Sequence, residues 1–291
     1  MTIQTYRILG SRRRFARIAL VLAAVLPLSV VFGVYGGSGL ASASQTTLKP
    51  PVVITAGTIR FCTDFSSPPT EFYSTSLKPE GSDVNIGNAI ATKMHVKVIW
   101  EETAFAGIIP ALLAKHCDAI LSDLYIKPAR QKVVNFVPYM YGGESVVVPT
   151  ANPGNITGYN TSLCGQTVST VTGTTGQTEL TSLDATCTAD GKSTIQVDLF
   201  TSDVAALENM LTGQSTAYTT GTETAAYYMT KDPNKLKFEG PSFGKILTGI
   251  AVNKDDPKLH ADMTKAVAEI RKDGTYSKIL LKWHIGRDAL N

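Results

Sequence analysis

The chain alternates strand-like and helix-like segments, and this alternation occurs twice along the sequence. The first series, in the order strand, helix, strand, helix, strand, is residues 59–62, 84–94, 96–100, 106–114 and 118–122. The second series, in the same order, is residues 166–171, 176–183, 195–200, 203–211 and 217–220. Strands and helices that alternate at this length are typical of α/β folds with a parallel sheet. Two such series therefore predict two α/β lobes.

Two extended segments rich in glycine and valine follow the two series, at residues 139–148 and 237–250. Each segment is suited to a crossing between lobes, and the second crossing would return the chain to the first lobe. We therefore assign residues 44–143 with 241–291 to lobe 1, which is discontinuous. Residues 144–240 form lobe 2 in this prediction.

The N-terminus predicts export from the cytoplasm. Five arginines precede an uncharged apolar run at residues 18–34, and small residues follow up to an A-x-A sequence that ends at Ala43. This combination is typical of a secretory signal peptide that is removed, here residues 1–43. The alternative is an uncleaved membrane anchor, but the run contains Pro27 and is near the lower length limit for spanning a bilayer. The arginines from Arg12 also resemble a twin-arginine motif, so twin-arginine and general secretory export both stay open.

Removal of residues 1–43 changes what the charge of the chain implies. It takes away five arginines and no acidic residue, so the formal net charge changes from +3 to −2. A mature chain with this charge gives no electrostatic reason to expect nucleic acid or an anionic membrane as a partner. No cysteine precedes Cys62, so none is placed to carry a lipid at the mature N-terminus. We therefore expect a free, monomeric periplasmic protein.

The four cysteines are an even number in a chain predicted to be exported, so disulfides are their expected state. Their spacings contain no C-x-x-C pair, and the nearest histidine, His116, is isolated, so we expect no metal site. Cys164 and Cys187 flank a polar stretch of lobe 2 and are our first pair. Cys62 and Cys117 are the second pair, because neighbouring strands of one sheet approach closely. Other connectivities stay open.

Several segments, in a fixed order, resemble one known family. They are Gly57-Thr58-Ile59-Arg60 with Thr63-Asp64 and Pro68-Pro69; Gly81-Ser82-Asp83-Val84 with Ala89-Ile90-Ala91; Phe105 with Ile109-Pro110-Ala111-Leu112 and Asp118-Ala119-Ile120; Pro128-Ala129-Arg130 with Phe136 and Pro138-Tyr139; Gly173-Thr174-Thr175; and Asp273-Gly274-Thr275-Tyr276 with Lys282-Trp283. The chain resembles bacterial extracellular solute-binding protein family 3, which serves polar amino acid ABC importers and includes the lysine/arginine/ornithine- and glutamine-binding proteins. Together these segments cover essentially all of residues 57–284.

The resemblance implies both a fold and a function. The fold is periplasmic-binding-protein-like, of type II, with two α/β lobes joined by a two-strand hinge that close over a ligand. The function is that of the extracytoplasmic binding component of an ABC importer. It captures an amino acid or a related small carboxylate and delivers it to a permease in the inner membrane. Neither enzyme activity nor a cofactor is expected.

Arg130 stands where the family places the arginine that binds the ligand's α-carboxylate. A guanidinium offers two parallel donors that match a carboxylate, and such a contact is worth roughly 1.5–3 kcal/mol. The alternative is a surface arginine in a loop after Pro128. Thr174 and Thr175 could hold the same carboxylate from lobe 2, with N–H groups and hydroxyls at a helix N-terminus. An ordinary threonine N-cap is the alternative there.

The resemblance places three further residues in the pocket. Phe105 occupies an aromatic position that packs against the ligand, with a core aromatic as the alternative. Ser122, at the end of a predicted strand, would present a hydroxyl or a carbonyl group. Asp64 corresponds to a carboxylate on the pocket floor, or else it caps the turn before Ser66.

The sequence departs from the family where the ligand's ammonium group should bind. The acid that the family places in lobe 2 aligns with Gly221, so that carboxylate is absent. Asp123, where the family usually has Ser or Gly, is our preferred replacement, and Glu223 is the second candidate. The alternatives are that Asp123 faces solvent or pairs with a neighbouring cation, and that the ligand is a plain carboxylate. Tyr125, where the family often has Thr or Ser, would narrow the pocket.

Two other functions could use the same scaffold. One is an enzyme of the cyclohexadienyl dehydratase kind, which needs a placed acid or base beside a carboxylated substrate. The four histidines lie outside the pocket segments, and no Ser/His/Asp or Cys/His arrangement can be assembled from the sequence. The other function is ligand sensing, in which the closed form is presented to a membrane receptor. Import and sensing use the same clamp, so both stay open.

Overall fold

The computed structural model describes residues 51–290, so the predicted signal peptide at residues 1–43 lies outside the described residues. The strands in this part of the chain are β1 (Thr58–Thr63), β2 (Ser66–Ser67), β3 (Glu71–Tyr73), β4 (Pro79–Glu80), β5 (Lys97–Glu102), β6 (Ala119–Ile120), β7 (Val134–Pro149), β8 (Thr167–Val171), β9 (Gln196–Phe200), β10 (Ala217–Gly221) and β11 (Leu236–Asn253). The helices are α1 (Ser82–Lys93), α2 (Ile108–Leu113), α3 (Pro128–Gln131), α4 (Thr175–Ala189), α5 (Asp203–Leu211), α6 (Thr222–Lys231), α7 (Pro257–Lys272) and α8 (Thr275–Lys282). Short 3-10 helices span Phe105–Gly107, Thr161–Leu163 and Gly286–Asp288.

Eight strands form one mixed sheet in the order β5-β1-β6-β11-β7-β10-β8-β9. The two long strands β7 and β11 lie antiparallel at its centre and pair along most of their length. The outer strands pair in parallel on each side, β1 with β5 and β6, and β8 with β9 and β10. Strands β2, β3 and β4 form a separate antiparallel sheet. The predicted type II α/β fold with two crossing strands is confirmed.

The buried apolar residues separate into groups on the two sides of the long strands. On one side they fall within residues 59–140 and 250–285, and on the other side within residues 146–236. We call residues 51–143 with 241–290 lobe 1, and residues 144–240 lobe 2, following the predicted boundaries. That these parts move as rigid bodies stays a prediction.

Short-range interactions explain where several helices begin. Thr174, Ser202 and Asp256 each accept, with a side-chain oxygen, the backbone N–H three residues later, and so cap α4, α5 and α7. Before α1, Gly81 has a φ of 132°, and a Cβ at this position would lie 2.0 Å from the carbonyl oxygen of Thr70. Only glycine fits there, because both the backbone angle and the space exclude a side chain.

Both predicted disulfides are present. Cys62 of β1 is bonded to Cys117, which lies two residues before β6, and Cys164 is bonded to Cys187 of α4. β1 and β6 are neighbours in the sheet, which is the proximity on which the pairing of Cys62 with Cys117 was based.

The structure also shows elements that the sequence did not predict. α6 was missed because its threonines and tyrosines have weak helix propensity, and the helix is stabilised by packing on β7, β10 and β11. The small sheet was missed because two of its strands have only two residues each. The predicted helix at 106–114 instead begins as a 3-10 helix at Phe105 and continues as the shorter α2.

None of the helices between residues 51 and 290 combines the length and the apolar composition that a membrane span requires. Over the same residues, His, Cys, Asp and Glu side chains do not form a group of three or more that could hold a metal ion.

Candidate ligand-binding site

A narrow cleft with a volume of about 50 Å³ lies between the two lobes. Its lining residues are Asp64, Ser66, Ser67, Glu71, Phe105, Ser122, Asp123, Tyr125, Arg130, Glu144, Val171, Thr174, Thr175, Asp203, Thr219, Thr220, Gly221 and Thr224. Eight of the nine predicted ligand residues are among them. The ninth, Glu223, is buried next to the cleft, with its carboxyl beside Gly221. The fold thus brings the predicted residues together, while their roles toward a ligand stay predictions.

Arg130 reaches across the cleft from α3. Its Nη1 donates to the carbonyl of Tyr125 at 2.9 Å, and its Nη2 donates to the carbonyl of Gly173 in lobe 2 at 3.2 Å. Burial lowers the pKa of Arg130, but a guanidinium keeps its charge. It has five N–H donors, so donors remain for a ligand after these two bonds. Arg130 is therefore a cleft residue and not the surface arginine of the alternative interpretation.

The two threonines that open α4 differ in what their hydroxyls do. Thr174 caps the helix by accepting from the N–H of Gln177 at 3.3 Å, and it donates to the carbonyl of Val171 at 2.7 Å. The N-cap alternative is therefore correct for its side chain. The hydroxyl of Thr175 is buried and lacks a hydrogen-bond partner in the described part of the chain. The same is true of the hydroxyl of Thr219 on β10. These two hydroxyls of lobe 2 can bond to a ligand without breaking an existing bond.

Asp64 and Ser122 belong to the wall of lobe 1 and are held there by hydrogen bonds. Asp64 accepts the N–H of Phe105 at 2.7 Å. Ser122 accepts the N–H of Asp64 at 3.0 Å and donates to Glu71 at 3.2 Å. The hydroxyl of Ser122 is thus engaged within the wall, which leaves its carbonyl group as the atom that it could present to a ligand.

Two aromatic residues shape the cleft. Phe105 lies against the guanidinium of Arg130, whose Cζ is 5.4 Å from the ring centroid, so one of its partners is the arginine itself. Tyr125 is buried and donates to the carbonyl of Gly143 at 3.1 Å, in the central strand β7. It lines the cleft and connects it to the strand that joins the lobes, while its narrowing of the pocket stays a prediction.

Carboxyl groups dominate the lining of the cleft. They come from Asp64, Glu71, Asp123, Glu144 and Asp203, and burial is the largest cause that raises the pKa of each of them. The pKa of Glu144 rises to about 8, with the charge of Asp203 as the next largest cause. These buried acids therefore hold protons at a pH where exposed carboxyls are ionised.

Comparison with known proteins places the chain in a family. The sequence profile of the bacterial extracellular solute-binding proteins, family 3, matches residues 59–286. The chain belongs to this family. The lysine/arginine/ornithine-binding periplasmic protein of Escherichia coli (strain K12) is 32% identical over 236 residues, which cover 78% of this chain and 87% of that protein.

Solved structures give the same result. An ancestral arginine-binding protein bound to arginine aligns with a TM-score of 0.73 and 32% identity, over 78% of this chain and 98% of that one. AncCDT-1, an ancestral amino acid-binding protein described as a precursor of cyclohexadienyl dehydratase, aligns with a TM-score of 0.71 and 28% identity, over 78% of this chain and 95% of that one. The predicted family and fold are therefore confirmed.

In this family 3 protein, direct contacts join the lobes across the cleft. Ser67 of lobe 1 donates to Asp203 of lobe 2 at 2.7 Å, and Asp203 also accepts from Tyr218 and, at 2.8 Å, from Thr220. Lys127 Nζ of lobe 1 lies 3.4 Å from Glu179 Oε1 of lobe 2. With the bond from Arg130 to Gly173, these contacts show that the lobes are closed on each other.

Three acids that line the cleft were not among the residues predicted from the sequence. Glu71 lies in the short strand β3, Glu144 in the valine-rich strand β7, and Asp203 at the start of α5. An acid within the apolar segment Glu144 to Val148 was a usable signal, because carboxylates are seldom buried without a purpose. Asp203 gave no such signal in the sequence, since an acid is common in the first turn of a helix.

The stability of the ligand-free protein is expected to fall as the pH rises from about 5 to 8. Burial raises the pKa of Asp83 to about 6, of Glu223 to about 7 and of Glu144 to about 8, while unfolded carboxyls titrate near pH 4. Over this range the folded state binds more protons, so rising pH favours unfolding. One pKa unit on one group is worth about 1.4 kcal/mol.

Urea unfolding at pH 5, 6, 7 and 8 measures this slope. Glu144→Gln should flatten it, whereas Glu208→Gln, at an exposed position of α5, should leave it unchanged. A free energy of unfolding that is constant or increases over this range would contradict the assignment of buried protonated acids.

Proposed function

We propose that this protein is the extracytoplasmic binding component of an ABC importer and captures a basic amino acid between its lobes. The observation that carries the proposal is the excess of acids in the cleft, where five carboxyl groups accompany one arginine. A ligand cation beside these carboxyls favours their ionised forms. A ligand with one carboxylate and two cationic groups complements this balance better than a neutral amino acid does, because buried charges need partners. The names of the relatives that bind lysine, arginine or ornithine support the same class.

The carboxylate of the ligand binds Arg130 in this proposal. Arg130 supplies a fork of parallel donors from lobe 1, and the free hydroxyl of Thr175 supplies a further donor from lobe 2. Because the two groups belong to different lobes, a carboxylate that binds both favours the closed state over the open one.

The cationic side chain of the ligand lies between Asp64 of lobe 1 and Asp203 of lobe 2. Both line the cleft, and burial is the largest cause that raises the pKa of Asp64, with the charge of Asp203 as a smaller one. Ser67 already bonds to Asp203 across the cleft, so the lobes meet at this end. A guanidinium or ammonium group between two carboxyls relieves their repulsion.

We propose binding rather than catalysis, and a monomer that delivers its ligand to a permease in the inner membrane. The relatives are described as binding proteins, and the precursor of cyclohexadienyl dehydratase is itself described as amino acid-binding. Import and sensing require the same closure. Permease and ATPase genes next to this gene would support import, and a histidine kinase gene would support sensing.

A basic amino acid is expected to raise the melting temperature and to compact the molecule. At a concentration 100 times its Kd, a ligand that binds only the folded state stabilises it by about 2.7 kcal/mol. A thermal-shift screen should rank L-arginine, L-lysine, L-ornithine and L-histidine above L-glutamate and L-leucine. Small-angle scattering should show a smaller radius of gyration with the best ligand. Stabilisation by L-glutamate above the basic amino acids would contradict the ligand class, and an unchanged radius would contradict the clamp.

A further inference from the structure

Position 221 is the point where two carboxyl groups from opposite lobes meet. Gly221 ends β10, and a Cβ built on it would lie 3.7 Å from Asp123 Oδ2 and 3.6 Å from Glu223 Oε2. The hydroxyl of Tyr125 would lie 3.4 Å from the same point. Asp123 belongs to lobe 1 and Glu223 to lobe 2. The space left by a missing side chain at position 221 is therefore bordered by two acids.

Neither acid is fully satisfied by the protein. Asp123 Oδ1 and Glu223 Oε2 are both buried and have no hydrogen-bond partner among residues 51–290. Glu223 as a whole is 97% buried, since its exposed fraction is 3%. A buried carboxyl oxygen without a donor is costly, so both oxygens are placed for a donor that is not part of the protein.

Most of the titratable groups around Asp123 and Glu223 are acids. Burial is the largest cause that raises the pKa of Asp123, and the acids Glu223, Asp83, Glu71 and Glu144 on α6, α1, β3 and β7 interact with it. The hydroxyl of Thr248 on β11 is the one neutral group that lowers its pKa in the described part of the chain. The phenol of Tyr125, also beside the pair, donates to the carbonyl of Gly143 and keeps its proton, because burial and the nearby acids raise its pKa.

On the side of Glu223, a further acid and a cation lie near the C-terminus. Asp288 raises the pKa of Glu223 and Arg287 lowers it. Burial lowers the pKa of Arg130, and the nearby carboxyl of Asp123 is among the groups that raise it. The hydrogen bonds of Arg130, however, go to the carbonyls of Tyr125 and Gly173 and not to Asp123. Acids therefore outnumber cations around the pair.

We propose that Asp123 and Glu223 together form the site for a primary ammonium group of the ligand, and that this pair allows the lobes to close only when a proton or an ammonium group lies between the two carboxyls. The inference rests on the proposed function and specifies which ligand group is recognised. An ammonium group has three donors, enough for Asp123 Oδ1, Glu223 Oε2 and one further acceptor. Two ionised carboxyls brought together from opposite lobes repel each other, so an empty closed cleft is unfavourable unless a proton or an ammonium group lies between them. The pair thus selects amines and couples amine binding to closure.

The test uses L-arginine and 5-guanidinopentanoate, which is arginine without its α-amino group. Titration calorimetry on the wild-type protein should show the deaminated compound binding about 10- to 150-fold more weakly than arginine. Small-angle scattering should show compaction with arginine and none with the deaminated compound. If another amino acid gives the larger thermal shift, that amino acid and its deaminated analogue replace this pair of probes.

Neutralising the pair should reverse the preference. In Asp123→Asn with Glu223→Gln, arginine should bind about 10- to 150-fold more weakly, while the deaminated compound binds at least as well as to wild type and now compacts the protein. Asparagine tolerates the positive φ of 41° at position 123, so the backbone is kept. Glu208→Gln is the matched surface control and should change the affinity for neither ligand.

Moving the carboxyl to position 221 gives an independent check. Gly221 has a φ of −54°, which any residue can adopt. Gly221→Asp in the wild-type background adds a third acid at the pair and should weaken arginine binding. In the Asp123→Asn background the same substitution restores one carboxyl to the site, and arginine affinity should recover most of what Asp123→Asn lost.

The outcomes separate this inference from the proposed function. Unchanged arginine affinity in Asp123→Asn with Glu223→Gln, or equal binding of arginine and its deaminated analogue to wild type, would overturn the ammonium site and leave amino acid binding standing. If no amino acid binds the wild-type protein, the proposed function is overturned and the ammonium site with it. Melting curves of each variant without ligand show whether a loss of affinity reflects a loss of folding.

Discussion

Replacing Cys62 and Cys117 by alanine is expected to lower the free energy of unfolding by about 4 kcal/mol. The bond joins residues 55 positions apart, and a cross-link over a loop of that length removes much of the conformational entropy of the unfolded chain. The pair Cys164 and Cys187 is separated by 23 positions, so its removal should cost about 3 kcal/mol. Denaturation by guanidinium chloride at one pH measures both losses.

The two double variants serve as controls for each other. Each removes two sulfur atoms and one bond, so the difference between them reports mainly the length of the closed loop. Removal of Cys62 and Cys117 should also affect the cleft, since Cys62 is two residues before Asp64 on the chain. A larger loss for Cys164 and Cys187 than for Cys62 and Cys117 would contradict the entropic explanation.

Arg130→Ala is expected to weaken the binding of L-arginine by about 10- to 150-fold, the equivalent of a charge-assisted contact worth roughly 1.5–3 kcal/mol. The arginine lines the cleft and has donors left after its bonds to Tyr125 and Gly173. Arg130→Lys keeps the charge but loses the parallel pair of donors. Its affinity for L-arginine should therefore lie between those of the wild-type protein and Arg130→Ala.

Agmatine, which is arginine without its carboxylate, is the matched ligand control. It has no group for Arg130 to bind, so Arg130→Ala should leave its affinity nearly unchanged. Arg60→Ala, on β1 and outside the lining of the cleft, is the control variant. An equal loss for arginine and agmatine would show that Arg130 acts by holding the lobes together through Gly173 and not by binding a carboxylate. Titration calorimetry on the three proteins decides this.

Much of the fold could be predicted from the sequence because its signals are local. The alternation of apolar segments predicted most of the strands and helices, and the two long central strands appeared as segments rich in glycine and valine. α6 and the sheet β2-β3-β4 could not be predicted, because weak helix formers and two-residue strands are stabilised by their neighbours.

The site was predicted less completely than the fold. Arg130, Asp123 and Thr175 lie in segments where the order of motifs carried a resemblance, so each could be assigned to the cleft before the structure was known. Glu71, Glu144 and Asp203 could not, because each lies in an element whose sequence also fits an ordinary structural role. Nothing local shows that these carboxyls converge on one cleft.

The sequence by itself determined the family, the order of most of the elements and the absence of an acid at Gly221. These properties depend on residue identity and short-range pattern. Only the tertiary structure decided which acids meet. The central strands β7 and β11 bring loops from distant parts of the chain to one cleft, and there Asp123 and Glu223, 100 positions apart, border the space left by Gly221. The charge of a cleft depends on distances between such residues, and those distances follow from packing rather than from any local pattern.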